Sequence, residues 1–280
     1  MARIAILTPD PAGEGWGTRW PDVYGELAAP LEAAGHQVAG PSWTARLDGF
    51  DLVLPLLVWG YHQAGEAWFE ATERWAGLPV HNPPPVLRWN ADKRYLGRLE
   101  GQGVPVTPTL FAERLSLETM EEAARRFGTE RLIAKPQVSA SAWRTIRWSP
   151  GESLAEGPEG AAMVQPYLPS IEREGEVSLI YFGGAFSHAI RKVPQPGDFR
   201  VQPEYRGVIS AHAPAADERE AADAALAAVE EPLLYARVDL VRGLDGRPVL
   251  MELELVEPDL YLRYDPGSPA RLAEAVSRLL

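Results

Sequence analysis

Apolar and charged residues alternate most regularly in two stretches near the C-terminus. Ala236-Arg237-Val238-Asp239-Leu240-Val241 and Leu250-Met251-Glu252-Leu253-Glu254-Leu255-Val256-Glu257-Pro258 both run with a period of two, which predicts two β-strands. Asp245-Gly246 lies between them, and Asp-Gly is a strong hairpin signal. A hairpin centred on that dipeptide sets Asp239 opposite Glu252 and Arg237 opposite Glu254. Strand side chains alternate faces, so these four charges share one face and Val249, Met251, Leu253 and Leu255 share the other.

The rest of the chain alternates between helical and extended patterns. A buried strand is predicted over 3–8, then a loop rich in glycine and tryptophan. A helix begins near Pro21 and stops at Gly35. Strands follow over 36–40 and 51–58, a helix over 64–76 ending at Gly77, and a strand over 79–82. This βαβα order predicts a small parallel sheet. Asn82-Pro83-Pro84-Pro85 reads as a linker, because three prolines continue neither element. Asn90 reads as the N-cap of a helix carrying Lys93 in its first turn.

Strands are expected over 106–111, 132–135, 145–148 and 162–167. The helix Leu117–Phe127 lies between a Ser116 cap and a Gly128 stop, and a loop of small residues spans 136–142. Segments 177–182 and 185–192 form a hairpin around Gly183-Gly184, and 195–207 is irregular. A helix over 216–230 turns Leu226 and Val229 inward, and a last helix over 269–280 is capped by Ser268. The pattern as a whole is a mixed α/β and α+β chain.

A chain of 280 residues with 46% hydrophobic composition can bury a sizeable core and divide into two or three subdomains. Its net charge of −12 argues against nucleic acid as a partner, although a local basic groove can still hold a nucleotide. The chain has no cysteine, which removes thiol catalysis, disulfides and thiolate metal sites. No window approaches a membrane span. Residues 1–7 read as a strand, without the apolar run and cleavage site of a signal peptide. The expectation is a cytoplasmic protein with no membrane partner.

Three carboxylates crowded on one strand face repel one another unless a cation joins them. Oxygen donors suit a hard ion such as Mg²⁺, which commonly bridges carboxylates to substrate phosphates. A solvated face with cross-strand ion pairs is the alternative. Lys135 ends an apolar strand just before the small-residue loop, where an ammonium can meet phosphates or simply reach water. Val164-Gln165-Pro166-Tyr167-Leu168 is either an edge strand or a hinge that reads an adenine edge. Glu176 opens the next strand, either as a ribose ligand or as a surface residue. Arg191, Lys192 and Arg200 form a basic cluster suited to phosphate or carboxylate, or else a solvated loop. The five histidines have no metal-ligand spacing.

Taken in order, the features resemble the ATP-grasp ligase superfamily over nearly the whole length. They are the N-terminal βαβα unit, Asn90-Ala91-Asp92-Lys93, Ile133-Ala134-Lys135-Pro136, Gln165-Pro166-Tyr167, Gly175-Glu176, Arg237-Val238-Asp239, and Glu252-Leu253-Glu254-Leu255-Val256-Glu257-Pro258. The chain is similar to glutathione synthetase and D-alanine–D-alanine ligase, and most of all to the branch holding the O-ureidoserine cyclo-ligase of cycloserine biosynthesis.

The resemblance implies an ATP-grasp fold behind an N-terminal parallel-sheet pre-ATP-grasp domain, with units at 1–88, 89–168 and 169–280. It implies ATP and two Mg²⁺ ions as cofactors. Lys93 and Lys135 would hold phosphates under the loop at Ser139. Gln165 and the backbone of Tyr167 and Leu168 would meet adenine, and Glu176 the ribose. Asp239, Glu252 and Glu254 would bind the metal. Arg237, Arg200 and Lys192 would supply the catalytic charges beside the γ-phosphate and the developing oxyanion.

The implied reaction is ADP-forming ligation of a small-molecule carboxylate to an amine-type nucleophile, within one molecule or between two, by a homodimer. Two departures stand out. The family's loop is often glycine-rich, and here it is Ser139-Ala140-Ser141; its third metal ligand is often Asn, and here it is Glu254. The glycine-free loop also fits a second reading, a nucleotide-binding regulatory protein without turnover. Segments 13–19, 59–62 and 257–261 are the candidates for the acceptor pocket.

Overall fold

Parallel strands β1 (Arg3–Ile6), β2 (Gln37–Ala39) and β3 (Leu52–Leu54) form an N-terminal sheet in the order β2-β1-β3. The computed structural model describes residues 1–13, 19–195 and 207–280. Helix α1 (Trp20–Ala33) covers one side of this sheet. The third strand is shorter than the alternation predicts, because Pro55 has no N–H to extend the ladder. The helix expected over 64–76 is broken at Gly65 into α2 (Tyr61–Ala64) and α3 (Glu66–Arg74).

The prolines at 83–85 are not a linker. Pro83 caps and Pro84 opens helix α4 (Pro84–Asn90), because the fixed φ of proline suits a first turn whose N–H groups have no helical partner. Asn90 therefore ends one helix instead of capping the next, and Lys93 lies in the turn before α5 (Tyr95–Gly101).

A second, antiparallel sheet has the order β4-β7-β5-β6, built from β4 (Leu110–Ala112), β5 (Leu132–Pro136), β6 (Ile146–Trp148) and β7 (Ala162–Pro166). Helix α6 (Leu117–Phe127) covers it, with the Ser116 side chain accepting from the Thr119 amide and Gly128 left-handed at the far end. A short α7 (Ser170–Arg173) leads to the third sheet. Its order is β10-β9-β8-β11-β12, from β8 (Glu176–Phe182), β9 (Ala185–Val193), β10 (Val208–His212), β11 (Tyr235–Arg242) and β12 (Pro248–Glu254). Ile180 and Phe182 join the core of the N-terminal sheet and α9 (Ser268–Ser277), whereas Leu179 and Tyr181 join a core beneath α8 (Ala216–Ala227). Helix α8 presents Ala221, Ala222 and Ala225 inward, with Leu226 and Val229 only half-buried at its margin. Ser268 begins α9 from inside the helix, and its hydroxyl donates to the Leu262 and Asp265 carbonyls.

The hairpin register agrees with expectation at the acidic end, where Arg237 pairs with Glu254 and Asp239 with Glu252. Beyond Asp239 it slips by one residue, so that Leu240 pairs with Leu250. This bulge corrects the assignment of faces. Leu250, Leu253 and Leu255 enter the core, while Val249 and Met251 turn to the other side and pack near Tyr167, Leu168 and Ile171.

β12 is an edge strand, and its free backbone groups are taken by the segment that precedes the second sheet. The Asn90 side chain donates to the Leu253 carbonyl at 2.7 Å and accepts from the Leu255 amide at 2.8 Å. The Leu253 amide donates to the Tyr95 hydroxyl at 2.9 Å. The Leu250 amide donates to the Pro105 carbonyl, and its carbonyl accepts from the Thr107 amide. Buried Asn82 adds donor bonds to the Tyr235 and Leu255 carbonyls.

Two stability predictions follow from these contacts. Asn90→Ala leaves a buried amide and a buried carbonyl without partners, so urea unfolding should show a loss of about 2–4 kcal/mol. Gly175 (φ +81°) and Gly184 (φ +78°) are both left-handed, but a Cβ at Gly175 would stand 2.4 Å from the Lys192 carbonyl, whereas nothing lies within 4 Å at Gly184. Gly184→Ala should cost about 1–2 kcal/mol from the backbone alone; Gly175→Ala should cost clearly more, read as a lower Tm.

Candidate active site

A cleft of about 820 Å³ opens between the three sheets. Lys93, Lys135, Ser139, Gln165, Tyr167, Leu168, Glu176, Lys192, Arg237, Asp239, Glu252 and Glu254 all line it. Arg200 lies outside the described residues. The acids reach the cleft from β8, β11 and β12 and the cations from four separate segments, so residues far apart in sequence meet through sheet pairing.

Two ionic groups organise the floor. In the first, Lys93 bridges the Glu252 carboxylate at 3.0 Å and the Ser139 carbonyl at 2.5 Å. Lys135 is buried nearby; burial pulls its ammonium below the ordinary lysine range, and Glu252 only partly opposes that. In the second, Arg237 donates to both Asp239 oxygens, at 3.0 Å and 2.9 Å, and also to Glu254. Lys192 pairs with Glu176 and stands 3.5 Å from Asp239, and the Ser178 hydroxyl donates to Asp239 at 2.5 Å.

The balance between burial and pairing differs from acid to acid. Burial favours the neutral form of every carboxyl here. At Asp239 it is outweighed by Arg237, Lys192 and the donated hydrogen bonds, which hold the carboxyl well below its usual range. At Glu252, Lys93 and Lys135 likewise overcome burial and lower the pKa. Glu254 has Arg237 but also faces Asp239 and Glu252, and burial with those neighbours pushes it up to about 8. Glu257, just past the strand, is raised by burial and by Glu254. Burial alone would depress the Lys192 ammonium; Asp239 and Glu176 reverse this and keep it charged.

The expected basic cluster divides in two. Arg191 and Lys192 are neighbours on β9 and point to opposite faces. Lys192 enters the cleft, whereas Arg191 approaches the His212 ring at 3.4 Å. At the other end of the cleft, the Gln165 amide donates to the Thr109 hydroxyl at 2.9 Å. The Tyr167 amide donates to the Arg131 carbonyl, and the Leu168 carbonyl accepts from the Ile171 amide. Of the backbone groups expected to meet adenine, the Tyr167 carbonyl and the Leu168 amide have no hydrogen-bond partner among the described residues. Ile133, Leu168, Ile171 and Met251 supply an apolar wall there. The Ser139 hydroxyl donates to Pro136, so this residue offers the site its carbonyl through Lys93.

Of the segments expected to line an acceptor pocket, residues 14–18 lie outside the described residues, and the other two reach the cleft. Trp59, Gly60, Tyr61 and His62 line it with Glu257, Pro258, Asp259 and Tyr261. Arg19 pairs with Asp259 at 3.0 Å. Trp143, from the loop after Ser139, brings its ring to 6.3 Å from that of His62.

Among the described residues no three acids or histidines are grouped tightly enough to hold a metal ion by themselves. The donor set still fits Mg²⁺, since Asp239, Glu252 and Glu254 offer oxygen alone, and Mg²⁺ is usually held by one or two carboxylates together with substrate phosphates. Among the described residues no helix is long and apolar enough to cross a membrane.

No family model matches the chain. It is 35% identical over 222 residues to the cycloserine biosynthesis protein DcsG of Streptomyces lavendulae, a match that covers 71% of this chain and 72% of the relative. The crystal structure of D-cycloserine synthetase DcsG superposes with a TM-score of 0.83 at 29% identity, covering 99% of this chain and 100% of the other. D-alanine–D-alanine ligase from Bacillus anthracis shares the fold, with a TM-score of 0.72 at 15% identity, covering 100% and 97%. Sequence relationship, fold and the cleft where ammonium and carboxylate groups converge agree: the chain belongs to the ATP-grasp ligases, ADP-forming enzymes that join a carboxylate to an amine-type nucleophile, in the family of DcsG.

Proposed function

We propose that this ligase activates the carboxylate of an amino-acid derivative with ATP and closes it onto a nitrogen of the same molecule, in the cytoplasm. The name of its relative, D-cycloserine synthetase, favours ring closure. The observation that carries the residue roles is the meeting of Lys93, Lys135, Lys192 and Arg237 with Asp239, Glu252 and Glu254 in one cleft.

In this reading adenine lies on the wall formed by Ile133, Leu168 and Met251, with its edge at the Tyr167 carbonyl and the Leu168 amide. Gln165, whose amide nitrogen is held by Thr109, meets the ring from the sheet side, and Glu176 faces the ribose. Lys93 and Lys135 hold phosphate oxygens. Asp239, Glu252 and Glu254 hold two Mg²⁺ ions, which supply charge neutralisation on the phosphates.

A substrate carboxylate oxygen attacks the γ-phosphorus, the bond to the β-phosphate oxygen breaks, and ADP leaves an acyl phosphate. The nucleophilic nitrogen then adds to the acyl carbon, and the C–O bond to phosphate breaks. Arg237 lies where negative charge develops, and Lys192 keeps Asp239 and Glu176 oriented. Positioning and electrostatics provide the catalysis, with no covalent bond to the protein.

The overall reading is tested by ADP release over a panel of amino acids and their ureido and hydroxamate derivatives, with products identified by mass spectrometry. Release coupled to a cyclised product is expected; phosphate released with no acceptor consumed would sink it. Glu252→Gln keeps the volume and removes the charge beside Lys93 and Lys135. It should lower substrate-stimulated ADP release by at least about a hundredfold with the fold intact by circular dichroism; near-normal turnover would remove Glu252 from the site.

A pH effect also follows. With its pKa lowered by burial, Lys135 loses its proton at a lower pH than an ordinary lysine. The KM for ATP should therefore rise as pH climbs toward the lysine range, and Lys135→Arg, charged throughout, should flatten that rise. An unchanged profile in the arginine variant would assign the rise elsewhere.

A further inference from the structure

Among the described residues, positive φ outside glycine occurs in the loop after Ser139 and at one other residue, Tyr261 (φ +49°, ψ +37°). Side chains avoid this conformation, and where it persists the surroundings over-determine it, commonly near an active site. Tyr261 is buried against the cleft. The Arg237 guanidinium carbon stands 5.5 Å from its ring centre, and Lys192 Nζ stands 6.0 Å away. Arg237 is gripped at its edges by Asp239, Glu254 and the Asp259 carbonyl. The Tyr261 ring covers its face, a favourable contact for a cation.

Two hydrogen bonds hold the two ends of one peptide unit. The Tyr261 amide donates to Asp259 Oδ1 at 2.9 Å. On the same unit, the Leu260 carbonyl lies 3.0 Å from His188 Nε2. A carbonyl only accepts, so Nε2 carries the proton. His188 is buried, and its Nδ1 stands 2.9 Å from the Ser187 hydroxyl. That oxygen accepts from Arg271 Nε at 2.9 Å, which leaves the hydroxyl proton for Nδ1. Arg271 pairs in turn with Asp265 at 2.6 Å. The imidazole thus has one tautomer and one orientation. Ser187 and His188 lie on β9 and Arg271 on α9, so packed elements set the plane of this peptide. His188 also shares a face of β9 with Lys192.

We propose that His188 is a positioning residue of the ligation: by holding the Leu260–Tyr261 peptide it keeps Tyr261 left-handed and stacked on Arg237, and so fixes the guanidinium in place. The proposal rests on the role given to Arg237 above, beside the developing negative charge. His188 touches neither nucleotide nor acid. It acts through Tyr261, and ATP binding at Lys93, Lys135 and the Tyr167–Leu168 backbone is left alone.

The test measures ADP release and AMPPNP affinity for the native enzyme and for His188→Phe, His188→Gln, Tyr261→Leu, Arg237→Ala and the double variant His188→Phe/Tyr261→Leu. The acid used is the one that elicits the fastest ADP release from the native enzyme, among amino acids and their ureido and hydroxamate derivatives. His188→Phe keeps a ring and removes the donor; it should lower kcat by about 10- to 100-fold with AMPPNP affinity unchanged. His188→Gln, whose amide can donate in place of Nε2, should restore most of the loss. The double variant should be no slower than the slower single one, because both changes remove the same contact. A crystal structure of His188→Phe should show Tyr261 out of the left-handed region. Should that variant lose its fold by circular dichroism, His188→Asn, which reaches Ser187 but not Leu260, takes its place. Undiminished kcat, additive losses, no recovery in His188→Gln or an unmoved Tyr261 would each overturn the positioning role, and Arg237 would keep its own if Arg237→Ala is inactive. If Arg237→Ala turns over normally, or no acid elicits ADP release from an enzyme that binds AMPPNP, the reading beneath the proposal falls and takes the proposal with it.

Discussion

The outer edge of β12 is the constraint on which both fold and site depend. An edge strand exposes a row of backbone donors and acceptors that must find partners. Here they are satisfied from the side by Asn90, Tyr95, Pro105 and Thr107, with Asn82 closing the end. The same contacts fix Leu253 and Leu255, the residues on either side of Glu254, and they bring the turn carrying Lys93 against Glu252. A change that loosens the edge therefore also moves the acids relative to the lysine.

With the backbone fixed, charge decides the rest. Lys93, Lys135, Glu176, Lys192, Arg237 and Asp239 are drawn out of water, and that step is unfavourable for each one alone. The arrangement is stable because the cations are shared. Arg237 serves Asp239 and Glu254, and Lys192 serves Glu176 and Asp239. Asp239, with two cations and a serine hydroxyl, stays ionised. Glu254 shares its arginine and faces two other acids, so it holds a proton more tightly. Replacing the common Asn by Glu at this position thus adds a carboxyl whose charge depends on what cation stands beside it.

Much of this was legible in the sequence, because the hairpin's alternation and its Asp-Gly turn set the pairing of Asp239 with Glu252. The bulge was not legible: apolar residues continue through Leu250-Met251, and nothing in composition marks which one is extra. The proline run misled for a related reason, since proline breaks a helix interior but favours its first turn, and only tertiary packing decides between the two. Asn90 carries the signature of a cap and instead serves a strand more than a hundred residues away. Arg191 and Lys192 looked like one cluster, yet strand geometry sends adjacent side chains to opposite faces. Glu257 falls in phase with the apolar Leu253 and Leu255, and alternation alone does not send it to the cleft; it lines the cleft from beyond the end of the strand at Glu254.

The loop after Ser139 shows how local rule and tertiary context can disagree. It has no glycine, yet Ser141, Ala142 and Arg144 all adopt positive φ, a conformation that costs L-residues about 1–2 kcal/mol each. The cost is offset by tethers. Arg144 donates to the Gly157 carbonyl and pairs with Glu159, and Lys93 holds the Ser139 carbonyl. An ammonium has three N–H donors, and Lys93 has given one to Ser139 and one to Glu252. One remains, which in the proposed function meets a phosphate oxygen. Loop and acid hairpin are thus joined at a single side chain, and a glycine-free loop can keep its place over the cleft because Lys93 holds it there.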